Sequence, residues 1–239
     1  MTVSYPQFFR DSALPVDRIE APAPLAVMPV AVERPRRKGA YRAFFKRALD
    51  VTAIVLAAPL VVPLVAGLAI AVARDGGSPF YTQQRIGKGG RAFKMWKLRS
   101  MVTDADARME GYLASNPEAR REWDETQKLK NDPRITRVGR ILRRASLDEL
   151  PQLWNVLTGD MSLVGPRPMM LNQQDLYPGN AYYALRPGIT GYWQTAGRND
   201  TSFEARADYD DAYEENLSLW NDVKILGLTV GVVFNCTGY

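Results

Sequence analysis

Histidine is absent from all 239 residues, and cysteine occurs once, at Cys236. The first absence excludes a Ser-His-Asp triad, a histidine general base and any histidine-ligated metal. The second excludes an intramolecular disulfide and a cysteine cluster. Chemistry therefore falls to carboxylates, Lys, Arg, hydroxyls and a hard metal bound through oxygen. Helix-turn-helix, zinc-finger and RNP-type signatures are missing too. The basic balance, +5 net with a pI near 9.3, thus suits anionic lipid headgroups and phosphorylated substrates, with no nucleic acid expected as partner.

Charge is also missing from one internal stretch. Val51 to Ala73 holds 23 uncharged residues. As an unbroken helix it would be about 34 Å long, against a bilayer core of about 30 Å. Pro59 and Pro63 interrupt it, each lacking an N–H and clashing with the carbonyl four residues earlier. They favour a bend near the middle, with both ends on one side of the membrane. Charge agrees: Arg34, Arg36, Arg37, Lys38, Arg42, Lys46 and Arg47 precede the stretch, and Arg74, Arg85, Lys88 and Arg91 follow it. Positive charge stays cytoplasmic, and here it marks both ends. The rival topologies are a straight span, a buried core helix and a cleaved signal peptide. The last is opposed by the length of the stretch and the roughly fifty residues before it.

The rest of the chain divides around this stretch. Residues 1–40 hold six of the sixteen prolines and little apolar periodicity, which reads as a disordered cytoplasmic tail. Residues 41–75 read as an interfacial helix start, its cations at headgroup level, followed by the membrane hairpin. Residues 76–239 read as a cytoplasmic domain that ends in an apolar helix. Within it, two alternating aromatic runs around Gly87-Lys88-Gly89-Gly90 predict a β-hairpin. Residues 103–130 predict solvated helices broken at Asn116-Pro117. Arg137–Arg144 and Leu147–Leu157 predict short helices. Leu217–Phe234 reads as an apolar helix, either in the core or on the bilayer surface. The fold class is α+β, mostly helical: a re-entrant helix-break-helix, a small hairpin and surface-associated amphipathic helices.

The densest run of suggestive residues is Arg134 to Pro168. Asp148 and Glu149 are adjacent acids just after Arg140, Arg143 and Arg144. Pro151 belongs in a first helical turn, so both acids sit near a helix N-terminus. Ser146-x-x-Glu149 has the form of a capping box, which would explain the acids structurally. Several Arg near a helix N-terminus instead make a phosphate site. Acids beside phosphate then require a divalent metal between them, or a nucleophilic role. Arg167 lies between Pro166 and Pro168, and Arg186 and Arg198 lie in Gly/Pro-framed loops. Together these imply an anion-binding surface.

At these residues the chain resembles the bacterial sugar transferases, monotopic phosphoglycosyl transferases acting on polyprenyl phosphate. The resemblance runs from about Lys46 to Tyr239. It rests on Lys46-Arg47-x-x-Asp50, Pro63, Gln84-Arg85-x-Gly87 and Phe93-Lys-x-x-Lys97-Leu-Arg99-Ser-Met101. It continues through Asp132-Pro-Arg-Ile-Thr136, Ser146-Leu-Asp-Glu-Leu-Pro-Gln152, Asn155-Val-x-x-Gly-Asp160, Val164-Gly-Pro-Arg-Pro168 and Arg186-Pro-Gly-x-Thr-Gly191. Trp193-Gln194 with Gly197-Arg198-Asn199, and Ser218-Leu-Trp220, resemble the subgroup that initiates exopolysaccharide units with hexose-1-phosphate, in its short form. Some members carry Ser-Pro at the membrane break, where this chain has Val62-Pro63.

The resemblance implies a hexose-1-phosphate transferase using a UDP-hexose, galactose or glucose, and undecaprenyl phosphate, with Mg²⁺ as cofactor. It assigns Asp148 as nucleophile and Glu149 as metal-binding acid. Arg143 and Arg167 become phosphate contacts, and Lys97, Arg99, Arg186 and Arg198 join them as candidate substrate-binding residues. Pro63 and Pro59 mark the membrane break. The implied location is the bacterial inner membrane, embedded among its lipids, with the catalytic domain on the cytoplasmic face. A homodimer through the C-terminal helix is a further expectation. A non-catalytic scaffold for anionic lipid, and an enzyme with a direct ternary mechanism, are the competing readings.

Overall fold

A computed structural model describes residues 39–126, 129–196 and 203–234. The expected tail before residue 39 lies outside them, as do Arg198 and Cys236. A π-helical turn, Tyr41–Phe45, leads into helix α1, Lys46–Ala73. Strands β1, Phe80–Ile86, and β2, Ala92–Leu98, form the expected antiparallel hairpin, paired from Phe80 opposite Leu98 to Ile86 opposite Ala92. Helices α2, Ala105–Ser115, and α3, Pro117–Thr126, meet at Asn116, whose Oδ1 accepts the Ala119 N–H at 3.1 Å. The expected break is thus also an N-cap. Helix α4 is Arg137–Arg144 and α5 is Gln152–Thr158. Strands β3, Ser162–Val164, and β4, Gly188–Thr190, pair in parallel around α6, Ala181–Ala184. Helices α7, Tyr192–Ala196, α8, Arg206–Glu215, and α9, Leu219–Phe234, follow.

Helix α1 does not stop at its prolines: both lie inside one hydrogen-bonded run. The expected helix-break-helix is therefore a single helix by hydrogen bonding. The prolines are one turn apart, so they withdraw donors from one face, opposite the carbonyls of Val55 and Pro59. Such a lesion bends a helix without ending it. This helix is long and apolar enough to cross a membrane. Its two ends, however, pack on the same body. Near its start, Ile54 joins a core with Phe93, Met95, Val156 and Met161. Near its end, Ala69 and Val72 join Leu98 and Leu142. Between them, Leu56, Leu60 and Val62 are bare.

Polar contacts fasten each end. Asp50 is buried, accepting from Ser162 Oγ at 2.8 Å and the Leu163 N–H at 3.1 Å. Lys46 Nζ donates to Asp222 at 2.7 Å and to the Tyr213 hydroxyl at 2.9 Å, and Tyr41 donates to Asp222 at 2.6 Å. Arg42 pairs with Glu214 at 2.6 Å, and Arg47 donates to the carbonyls of Val156 and Leu157. Three cations expected to lie against lipid headgroups therefore point into the domain, where acceptors of the fold, buried Asp222 among them, hold them by charge-assisted bonds. At the other end Asp75 takes two bonds from Arg99.

Helix α9 has a buried face, as the core reading expected, and an exposed apolar one. Asp222 and Ile225 are fully buried, while Trp220, Leu228 and Val230 are exposed.

A buried tyrosine cluster, Tyr177, Tyr182 and Tyr183, packs Ile86 and Met169 against Ala207 of α8. Asp210 is buried beside it and accepts from Tyr177 at 2.8 Å. Burial pushes its carboxyl up to about 7, against the opposing Tyr177 bond and Arg206 charge. The native value exceeds the unfolded one of about 3.9. The stabilising contribution is therefore full below about pH 4 and is lost as pH rises through about 7. Asp210→Asn keeps an acceptor for Tyr177 and removes the buried charge. We expect it to raise stability at pH 8 by about 2–4 kcal/mol and to flatten the pH dependence between 4 and 7, measured by denaturant unfolding across pH.

Candidate active site

The acids sit in a tight turn, Leu147–Glu149, between α4 and α5. Ser146, entering the turn, has φ 54°, the only non-glycine positive φ among the described residues. That conformation costs roughly 1–2 kcal/mol, and it removes the capping box. An N-cap side chain needs an extended backbone to reach the next turn, and Ser146 makes no such bond. Glu149 instead bonds Lys97.

Lys97 reaches both acids from β2. Its Nζ lies 2.8 Å from Glu149 Oε1 and 3.8 Å from Asp148 Oδ2. Asn155 of α5 sets this register. Buried, it accepts the Trp96 N–H at 2.9 Å and donates to the Lys94 carbonyl at 2.8 Å, extending the β2 ladder by one side chain. Asp148 is 9% exposed. Burial raises its pKa, the Lys97 charge lowers it and Glu149 raises it again. A buried carboxyl shifted in this way beside a cation is a candidate for chemistry.

Arg143 approaches from α4. A side chain at Gly139 would collide with the Ser100 backbone, so only glycine lets α4 lie this close. Arg143 Nε then donates to Ser100 Oγ at 2.8 Å, and its charge is felt at Asp148. Arg167 shares a cavity with Glu149. Its Cζ lies 5.4 Å from the Trp193 ring centroid, and Arg206 lies 4.2 Å from the same ring. Arg85 is near enough that burial and then Arg167 lower its pKa. Burial and then Arg167 also bring Arg206 down to about 10. Converging guanidiniums with buried, unpartnered Nε atoms on Arg85 and Arg206 are suited to a multiply charged anion.

The sequence candidates thus separate. Lys97, Arg143, Asp148, Glu149 and Arg167 come together. Arg99 is bound to Asp75 and to the carbonyls of Ser78 and Met101, and Arg186 donates to the Gly159 carbonyl at 2.9 Å. Both brace the fold where they stand. Arg85 appeared in the sequence as a flanking charge and as part of a motif, not as a site candidate. Arg206, in α8, carried no sequence motif to mark it.

A family model for bacterial sugar transferases matches residues 41–236. The chain belongs to that family. It is 49% identical over 197 residues to the UDP-galactose-lipid carrier transferase of Erwinia amylovora, covering 82% of this chain and 41% of that one. Against the undecaprenyl-phosphate galactose phosphotransferase of Salmonella typhimurium it is 46% identical, with the same coverage. Against the exopolysaccharide production protein ExoY of Rhizobium meliloti it is 44% identical over 205 residues, covering 83% of this chain and 91% of the relative. The chain therefore spans about two-fifths of the length of the first two family members and most of the third.

Proposed function

We propose that the protein transfers hexose-1-phosphate from a UDP-hexose to undecaprenyl phosphate at the inner membrane, as the first membrane step of exopolysaccharide synthesis. The observation that carries this is the Asp148–Glu149 turn, with Lys97 against both acids and Arg143 and Arg167 beside them. The similarity to carrier-lipid transferases supports the substrate classes.

The Asp148 carboxylate attacks the sugar-bearing phosphorus of the donor. The bond from that phosphorus to the bridging oxygen breaks, and UMP leaves with the electron pair. An oxygen of undecaprenyl phosphate then attacks the aspartyl phosphosugar, expels the Asp148 carboxylate and forms the lipid diphosphosugar. An anhydride becomes an acyl phosphate and then an anhydride again, so each step is close to balanced. The Lys97 charge opposes the burial that would protonate Asp148. Arg143 and Arg167 orient phosphate oxygens and stabilise charge on them in a partly dehydrated site.

Glu149 offers a hard oxygen suited to Mg²⁺, which binds through one or two carboxylates plus substrate phosphates. Among the described residues no set of three acids gathers, so phosphate and water would complete the shell. When bound, Mg²⁺ supplies charge stabilisation for the diphosphate.

A re-entrant α1 fits this reading, because a bilayer-crossing helix would carry one of its ends away from the domain that both ends touch. Ala40→Cys and Ser78→Cys, each in a Cys236→Ser background, should both label from the cytoplasmic side in oriented vesicles. Labelling of position 40 only from the opposite side would establish a straight span. The activity itself is tested by UMP release from UDP-glucose and UDP-galactose with Mg²⁺. Release dependent on undecaprenyl phosphate supports the transfer. If neither donor is turned over, the lipid-scaffold reading gains.

A further inference from the structure

Beside the acidic turn lies a cavity of about 240 Å³, most of whose walls the phosphate chemistry leaves unused. Its walls include Leu150 and Leu153 of α5, Ile189 and Thr190 of β4, Gln194 and Thr195 of α7, and Thr229 of α9. Ser146, Leu147, Glu149 and Arg167 close the end nearest Asp148. Gln194 is only 9% exposed, yet neither Nε2 nor Oε1 of its carboxamide has a hydrogen-bond partner. Buried amides without partners cost about 1–3 kcal/mol, so this one is arranged for something that is bound.

The hydroxyls around it show what that is. Thr229 Oγ1 donates to the Ile225 carbonyl at 2.7 Å, so in its 2.7 Å contact with Thr190 the proton belongs to Thr190. Thr195 Oγ1 donates to the Gly191 carbonyl at 3.1 Å. All three threonines have committed their protons and present lone pairs only. Gln194 adds two N–H donors and one acceptor. Apolar faces from Leu150, Leu153 and Ile189 complete a wall suited to a ring that is apolar on its face and rimmed by hydroxyls, each able to donate and accept. That is a hexopyranose. Position agrees: the cavity borders the residues on both sides of Asp148, and in the donor the sugar is attached directly to the attacked phosphorus. The nucleoside is one phosphate further away.

We infer that Gln194 reads the hydroxyls of the transferred sugar and is a specificity-determining residue. This rests on the proposed transfer from a UDP-hexose, so binding and turnover are measured separately. Calorimetry on full-length Asp148→Asn protein in nanodiscs compares UDP-galactose, UDP-glucose and UMP, with and without Gln194→Leu. Leucine keeps the bulk and removes the amide. The expected result is a tenfold to hundredfold loss of affinity for the better UDP-hexose, a smaller gap between the two epimers, and unchanged UMP affinity. Equal weakening of UMP would assign Gln194 to uracil and overturn the inference. Unchanged UDP-hexose affinity would overturn it as well. An unaltered melting temperature for Gln194→Leu shows that the loss is not unfolding. If the wild-type protein binds UDP-hexose through Gln194 but releases no UMP, the transfer reading fails while the sugar site stands.

Discussion

Asp148→Asn should lower lipid-dependent UMP release by at least about a thousandfold, the loss typical when a reacting nucleophile is removed. The amide is a poor nucleophile and cannot form the acyl phosphate. The same variant should give no sugar-phosphate adduct on the Asp148 peptide by mass spectrometry after exposure to donor alone, where the wild-type chain should gain one. The substitution is nearly isosteric, and it removes a charge that burial disfavours, so folding should not suffer. Normal turnover by the Asn variant would remove Asp148 as nucleophile. Loss of turnover with no wild-type adduct, and no exchange of labelled UMP into donor without lipid, would favour the direct ternary mechanism.

The second large effect concerns Lys46. Lys46→Met leaves the Asp222 carboxylate, 1% exposed, without its counter-charge. The hydroxyls of Tyr41 and Tyr213, at 2.6 and 2.7 Å, still donate but carry no charge. Breaking one side of a buried ion pair typically costs about 3–5 kcal/mol. In a chain of this size that is a fall in melting temperature of roughly 6–20 °C. The double variant Lys46→Met/Asp222→Asn should recover part of it, because the orphaned charge is then gone. A Lys46→Met protein that melts with the wild type would show that the two phenols suffice.

The hairpin and α4 were legible because their signals are local. Alternating aromatics flank a glycine-rich turn in one case, and in the other a short basic run reads as helix, to which the structure adds Thr136 accepting the Gly139 N–H at 2.8 Å. The pairing of β3 with β4 was not legible. Each is three residues long, too short to show a period, and the partners are brought together by the segment between them. Asp148 and Glu149 stood out by adjacency and family motif, and the structure adds the burial of Asp148 and the Lys97 amine that reaches both. Arg99 holds Asp75 in the structure, and no local pattern distinguishes such an arginine from one open to phosphate. Arg206 and the empty-handed amide of Gln194 depend on side chains converging from separate elements, which no local pattern records.

The fastening of α1 also bears on how the chain is made. Lys46 and Asp222 are 176 residues apart, and translation proceeds at about 5–20 residues per second. For roughly nine to thirty-five seconds Lys46 has been synthesised while its acidic partner has not. With the proposed membrane topology, the helix meets lipid before its clasp exists, and the rest of the chain closes onto an element already in place.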